Sequence, residues 1–123
     1  MKTSEETTEF KPKFDDSGLI TCVTIEADTG HVLMVAYMNE AALDKTLETG
    51  EMYYWSRSRG ELWHKGAGSG QILKLQELRT DCDQDCLLAI VTQPQKSGVC
   101  HTGRHSCFYR RVGDDGTLEF IEE

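Results

Sequence analysis

The sequence predicts an α+β fold, mainly antiparallel β-sheet with one or two short helices in a single domain, and three observations predict it. Apolar or alternating runs of strand length recur along the chain, turn signals such as ADTG, Arg59-Gly60 and GDDG separate them, and Asn39 to Gly50 carries helix start and stop residues. At 123 residues the chain fits one domain with a real core, to which a metal or a partner subunit adds stability. Residues 1–18 read as a polar, loosely held N-terminal segment and residues 19–123 as the domain, with no internal repeat.

The elements follow in order. LITCVTIE alternates as a half-buried strand does, ADTG turns the chain, and HVLMVAYM is apolar enough for a more buried second strand, so the two form a hairpin. Asn39 can cap a short helix that runs through Thr49 and ends at Gly50. EMYYWSRS is aromatic and β-prone, and ELWHK returns after Arg59-Gly60 as its partner. KGAGSG is a flexible loop, QILKLQELRT extends, LLAIVTQ is a buried strand, QPQKSG turns, and CFYRRV and TLEFIE flank GDDG.

Composition narrows the class. The acidic, polar start MKTSEETTEF and the lack of an apolar run of membrane length predict neither signal peptide nor transmembrane helix, hence a cytoplasmic protein. There, five cysteines predict thiols or thiolate ligands rather than disulfides. Net charge is −8, but residues 57–111 carry nine bases against five acids, three of them the aspartates of RTDCDQDC. If a cation neutralises those three, the middle of the chain is basic and suits a small anionic ligand better than a nucleic-acid duplex; a mixed-charge surface is the plainer alternative.

RTDCDQDC, Arg79 to Cys86, places three aspartates and two cysteines in six positions. Read as an extended strand, it points Asp81, Asp83 and Asp85 one way and Cys82 and Cys86 the other. Carboxylates prefer magnesium, manganese or calcium and thiolates select zinc, so the segment is expected to serve two ions on two faces. A solvated Asp-x-Asp turn is the alternative, uncomfortable for three uncompensated carboxylates. An EF-hand starting at Asp81 is excluded, because its sixth and twelfth positions hold Cys86 and Thr92. For zinc, Cys82 finds partners in CHTGRHSC, which offers Cys100 and Cys107; three protein ligands with an open fourth position describe a catalytic zinc. His101 stands beside Cys100, either to complete the tetrahedron or to shuttle a proton. Cys22 reads as a plain buried cysteine, and Cys86 is left out of the site.

The runs YWSRSRGELWHKGAGSG, RTDCDQDCLL and CHTGRHSCFYRR, in that order, together with EADTGHVLMVAYMNEAALDKTLETGE, closely resemble the phosphoribosyl-AMP cyclohydrolase family of histidine biosynthesis over roughly residues 19–110. The resemblance implies a zinc- and magnesium-dependent homodimer whose zinc sites draw ligands from both subunits. By motif match, zinc falls to Cys82, Cys100 and Cys107 and magnesium to Asp81, Asp83 and Asp85. Gln84, Cys86, Gly68 and His105 depart from the family's usual glycine, alanine, threonine and arginine without removing a proposed ligand. Some relatives are fused to a phosphoribosyl-ATP pyrophosphatase domain, which is not seen in this sequence.

What the resemblance implies chemically agrees with the residues. In phosphoribosyl-AMP, nitrogen 1 of the purine carries a second ribose phosphate, carbon 6 becomes electrophilic, and zinc hydroxide attacks it so that the adenine ring opens. His101 is the candidate catalytic proton shuttle, with His105 and His64 next. Arg57, Arg59 and Lys65 suit the two substrate phosphates; Trp63 or Trp55 can stack on the purine, or either can simply pack in the core. Two rivals come from other classes. A zinc nucleobase deaminase lacks support, since its His-x-Glu and Pro-Cys-x-x-Cys pattern is absent. The other is a zinc-binding interaction module without catalysis.

Overall fold

Alternation carries the first strand. In the computed structural model, which describes residues 7–68, 70–94, 98–100, 102 and 104–121, β1 (Ile20–Glu26) buries Ile20, Cys22 and Thr24 while the residues between them are only partly covered. β1 pairs antiparallel with β2 (Val32–Met38), as the hairpin reading requires, with a register shift between Thr24 and Ile25. β2 buries Leu33, Met34 and Met38 but leaves Val32 and Val35 exposed, so its continuous apolar run does not make it buried on both faces.

Helix α1 (Glu40–Thr49) starts and stops where its caps dictate. Asn39 Oδ1 accepts the Ala42 amide at 2.9 Å, and Gly50 adopts a left-handed φ of 75° while its amide donates to the Thr46 carbonyl. The face with Ala42, Leu43 and Thr46 is buried. Thr46 also ties the helix to the next strand, because its Oγ1 accepts the Tyr53 amide at 3.0 Å and donates to the Ala42 carbonyl at 2.9 Å.

β3 (Tyr53–Ser56) and β4 (Glu61–His64) form the expected second hairpin, and β5 (Lys74–Thr80) with β6 (Cys86–Thr92) a third. The order across the six-stranded sheet is β4-β3-β2-β1-β6-β5. Every pair is antiparallel except β1 with β6, where Cys22 lies opposite Leu87 and Thr24 opposite Ala89. β7 (Arg110–Val112) and β8 (Leu118–Phe120) make a separate two-stranded ribbon around GDDG. Among the described residues, one helix and a mostly antiparallel sheet give the predicted α+β class.

The core gathers on the face where Ile20, Leu33, Met38, Tyr54, Leu73, Leu87 and Val91 meet. Tyr54 is fully buried, and its hydroxyl is satisfied by Thr24 Oγ1 at 2.7 Å. Met52 organises the approach to the glycine-rich loop: its amide donates to the Leu73 carbonyl at 3.0 Å, and its carbonyl accepts the Lys65 amide at 3.0 Å. The two ends of KGAGSG are thus held beside β3. Within the N-terminal segment, the Lys13 amide donates to the Gln84 carbonyl at 2.7 Å, the Lys11 amide to Gln84 Oε1 at 2.7 Å, and Gln84 Nε2 to the Glu9 carbonyl at 3.2 Å, which draws residues 9–13 onto the β5–β6 turn. Among the described residues, no helix is long and apolar enough to cross a membrane.

Candidate active site

The extended strand expected over Asp81–Asp85 does not form. These residues are the turn between β5 and β6: the Gln84 amide donates to the Asp81 carbonyl at 3.1 Å, and Gln84 takes a left-handed φ of 60°. Asp81 accounts for the difference. Its Oδ1 accepts the backbone amides of Asp85 at 3.0 Å and Cys86 at 3.1 Å, the local side-chain bonding that favours a turn over a ladder. Pleat alternation therefore does not sort carboxylates from thiols. The three carboxylates converge nonetheless, with one oxygen from each of Asp81, Asp83 and Asp85 within 4.8 Å of the others.

Their crowding shows in their acidity. Desolvation opposes ionisation of Asp81, but hydrogen bonds accepted from Asp85 and from the Cys86 amide outweigh it and hold this carboxyl below its usual range. Asp85 is pushed up to about 6, first by the hydrogen bonds it shares with Asp83 and Asp81. A hard divalent cation relieves this crowding by replacing the shared proton, so the donor set fits one.

The cysteines divide into a pair and a single. Cys100 is buried, accepts the Thr102 hydroxyl on its sulfur at 3.1 Å, and shares a hydrogen bond with the Cys107 thiol. Burial raises the Cys100 pKa, but the Thr102 hydroxyl and amide, the Cys107 thiol and the nearby Arg104 charge bring it below the ordinary thiol value. Burial, with the charge of Cys100 next, pushes Cys107 up to about 11. Two sulfurs in hydrogen-bond contact are a partial soft-metal site, since a zinc-class ion binds thiolates in place of their protons.

Cys82 stands elsewhere in the chain. Its turn precedes Cys86, which lies opposite Thr21, whereas the Cys107 amide donates to Leu33 at 2.8 Å, near the Thr24–Ile25 register of β1. The two places are roughly 10–13 Å apart along the strand direction alone. Cys82 is exposed, and it belongs to neither group of three close metal donors found among the described residues. Cys22 is fully buried, and its thiol is pushed up to about 12 by desolvation, as suits an inert core cysteine. Cys86 is half-buried, with its pKa raised by burial and then by the three aspartates. His101 lies outside the described residues.

A separate feature is a cavity of about 660 Å³, lined among others by Arg59, Trp63, His64, Lys65 and Gly66. Lys65 joins the two features. Its Nζ donates to the Val99 carbonyl at 2.7 Å, next to Cys100, and its pKa is lowered by burial against the attraction of Cys107 and Cys100. Trp63 packs on the core beside Tyr54 and also lines the cavity. Trp55 pairs with Tyr37 and Leu62 across the strands. Arg57 is not brought in; its guanidinium lies 4.0 Å from the Tyr37 ring centroid.

Three contributors are not among the predicted site residues. Gly66 has φ +88°, and a Cβ there would stand 2.3 Å from the Gln71 carbonyl carbon, so only glycine closes the loop. Glu51 Oε1 meets His64 Nε2 at 2.8 Å, and the His64 ring stacks on Tyr53 at 4.3 Å. Thr102 supports Cys100. Of these, only the Lys-Gly dipeptide opening a loop was a signal in the sequence; the other two depend on strand register and loop path.

Residues 34–109 match the family model described as phosphoribosyl-AMP cyclohydrolase. The chain belongs to that family. A phosphoribosyl-AMP cyclohydrolase of Bradyrhizobium sp. (strain ORS 278) is 59% identical over 117 residues, covering 92% of this chain and 88% of that protein. One from Brucella anthropi is 58% identical over 123 residues, covering 99% and 87%, and one from Nitrobacter hamburgensis is 52% identical over 122 residues, covering 96% and 82%. The matched region of this phosphoribosyl-AMP cyclohydrolase family member holds the cavity, the aspartate turn and both clustered cysteines.

Proposed function

We propose that the chain hydrolyses phosphoribosyl-AMP, opening the adenine ring between nitrogen 1 and carbon 6 as a step of L-histidine biosynthesis, with zinc at Cys82, Cys100 and Cys107 and magnesium at Asp81, Asp83 and Asp85. The observation that carries this reading is Lys65, which lines a polar, aromatic cavity and bonds the Val99 carbonyl beside Cys100, itself hydrogen-bonded to Cys107. The name its relatives bear supplies the substrate. When bound, zinc supplies the Lewis acidity that brings a water's pKa toward neutrality.

The chain's own groups do the rest. Arg59 and Lys65 hold substrate phosphate at the cavity wall, the Gly66 backbone lets the ligand approach closely, and Trp63 offers a face to the purine. Arg57, stacked on Tyr37, reaches a phosphate by leaving that ring. Ring opening needs one proton taken from the attacking oxygen and one delivered to nitrogen 1. His101 is assigned this shuttle, and His101→Ala should cut turnover far more than zinc content, as paired kinetic and metal analyses of that variant would read out.

The separation of Cys82 from Cys100 and Cys107 supports a homodimer with zinc sites shared between subunits. So do the exposed apolar side chains of Phe108, Val112, Leu118, Phe120 and Ile121 around the β7–β8 ribbon, more than a lone surface usually leaves in one place. Five free cysteines accord with a reducing, cytoplasmic setting.

A direct assay tests the function. Phosphoribosyl-AMP should be consumed by the metallated protein, turnover should stop after chelation, and zinc should restore it. A fully metallated, folded protein that leaves the substrate intact overturns the reading and leaves a zinc-binding interaction module without catalysis in its place.

A further inference from the structure

A second constellation of donors shares no residue with the cysteine pair or the aspartate turn. Glu26 at the end of β1, His31 just before β2 and His105 in the approach to Cys107 each present one donor atom within 4.8 Å of the others. We propose that these three residues bind a divalent transition-metal ion of the zinc, cobalt and nickel class. The site does not depend on the ring-opening reading, because none of its residues faces the Lys65 cavity.

Geometry comes first. Tetrahedral zinc with bonds of about 2.0–2.1 Å to nitrogen and oxygen sets its donors about 3.3 Å apart. Glu26 Oε1 and His105 Nε2 already stand 3.2 Å apart, one edge of such a tetrahedron. The His31 ring sits edge-on to His105, centroids 6.2 Å apart at 79°, so a modest side-chain adjustment completes the third corner. An ordinary ion pair between Glu26 and His105 would not need His31 there.

The supports of these side chains also suit a metal. The Glu26 side chain is only 12% exposed, and its Oε1 accepts the Thr29 hydroxyl at 2.7 Å, an outer partner that orients a ligating carboxylate. The turn bearing Glu26 and His31 is closed by the Glu26 amide to the His31 carbonyl at 2.9 Å and by Gly30 to the Glu26 carbonyl at 2.7 Å. On the other side, Ser106 Oγ donates to the Val32 carbonyl at 2.7 Å and the Cys107 amide to Leu33 at 2.8 Å, which fixes His105 against β2. His31 is exposed, and a cavity of about 370 Å³ lined by His31, His105, Val32 and Phe108 gives an ion and its waters access.

Donor type sets the selectivity. Two imidazoles and one carboxylate suit zinc, cobalt, nickel or copper, whereas magnesium keeps oxygen ligands and most of its waters. The aspartate turn and this site should therefore be separable by metal as well as by mutation. Such an ion would tie the β1–β2 turn to the segment that carries Cys107.

Cobalt titration of the full-length protein in excess magnesium provides the test. Magnesium occupies the aspartate turn, cobalt at cysteine produces intense thiolate charge-transfer bands, and cobalt at histidine and carboxylate produces only weak ligand-field bands. Calorimetry should detect a further equivalent of cobalt without a matching rise in charge-transfer intensity. Removing one ligand should cost at least what removing an orienting partner costs, so His31→Gln and Glu26→Gln should weaken that equivalent about tenfold or more and leave the thiolate bands unchanged. His31 is exposed on a turn, so His31→Gln should fold normally, as circular dichroism can verify. Either the absence of the extra equivalent in the unaltered chain or its undiminished affinity in folded His31→Gln would exclude the site. Neither result depends on turnover of phosphoribosyl-AMP.

Discussion

Single residues at this site do work that their neighbours of the same type do not. Gly66 and Gly68 lie two positions apart in one loop, yet a Cβ on Gly66 would meet the Gln71 backbone at 2.3 Å while one on Gly68 meets nothing within 4 Å. Left-handed backbone alone costs a non-glycine residue about 1–2 kcal/mol, and the clash adds to that. Gly66→Ala should therefore lose about 2 kcal/mol or more in urea unfolding and most of its turnover, whereas Gly68→Ala should stay close to the unaltered protein. The cysteines differ in the same way. With Cys22 pushed up to about 12 and fully buried, its thiolate fraction at pH 8 is on the order of 10⁻⁴, so native alkylation should leave it unmodified. Cys107→Ser should lose zinc and activity together while Cys22→Ser keeps both, as metal analysis beside the assay would show. Full zinc occupancy in the Cys107 variant would remove that residue from the site.

Elements place these residues through their ends more than through their middles. Asn39 sets the start of α1, whose Thr46 then anchors Tyr53 in β3, so the cap lies upstream of the cavity wall. Asn39→Ala should cost about 1 kcal/mol, a fall in Tm of roughly 3–6 °C on heating. The β5–β6 turn is the other decisive end. Asp81 holds it by accepting two backbone amides, so replacing Asp81 disturbs structure and metal at once. Asp83 and Asp85 are cleaner probes. Asp83→Asn and Asp85→Asn should weaken magnesium activation and leave zinc bound; loss of zinc from either folded variant would mean that carboxylates and sulfurs serve one ion.

For the whole molecule, the question is whether one chain suffices. The Cys82 turn and the Cys107 contact with Leu33 lie three to four residues apart along β1, and with a shared zinc site Cys82→Ser and Cys107→Ser proteins should each be inactive alone. In a mixed dimer with shared sites, one site collects both defects and the other none. Random reassortment of equal amounts makes half the dimers mixed, so about a quarter of the unaltered activity should return. Verified heterodimers without recovered activity would show that each site is built within one chain.

Much of this molecule was legible because its causes are local. The alternation of LITCVTIE, the Asn39 and Gly50 caps and the GDDG turn act over a few residues, and each produced the element expected of it. The three aspartates were legible as a group too, and they do converge in the fold. Their arrangement was not. RTDCDQDC has the composition of a strand or of a turn, and only the Asp81 carboxylate accepting two amides, with Gln84 left-handed and its side chain bonded to the N-terminal segment, decided for the turn. The parallel pairing of β1 with β6, the meeting of Lys65 with Cys100 and Cys107, and the convergence of Glu26, His31 and His105 join residues far apart in the chain. Such contacts arise when distant apolar faces are buried against one another; alternation marks each face in the sequence, but nothing at either partner's place says which other face it meets.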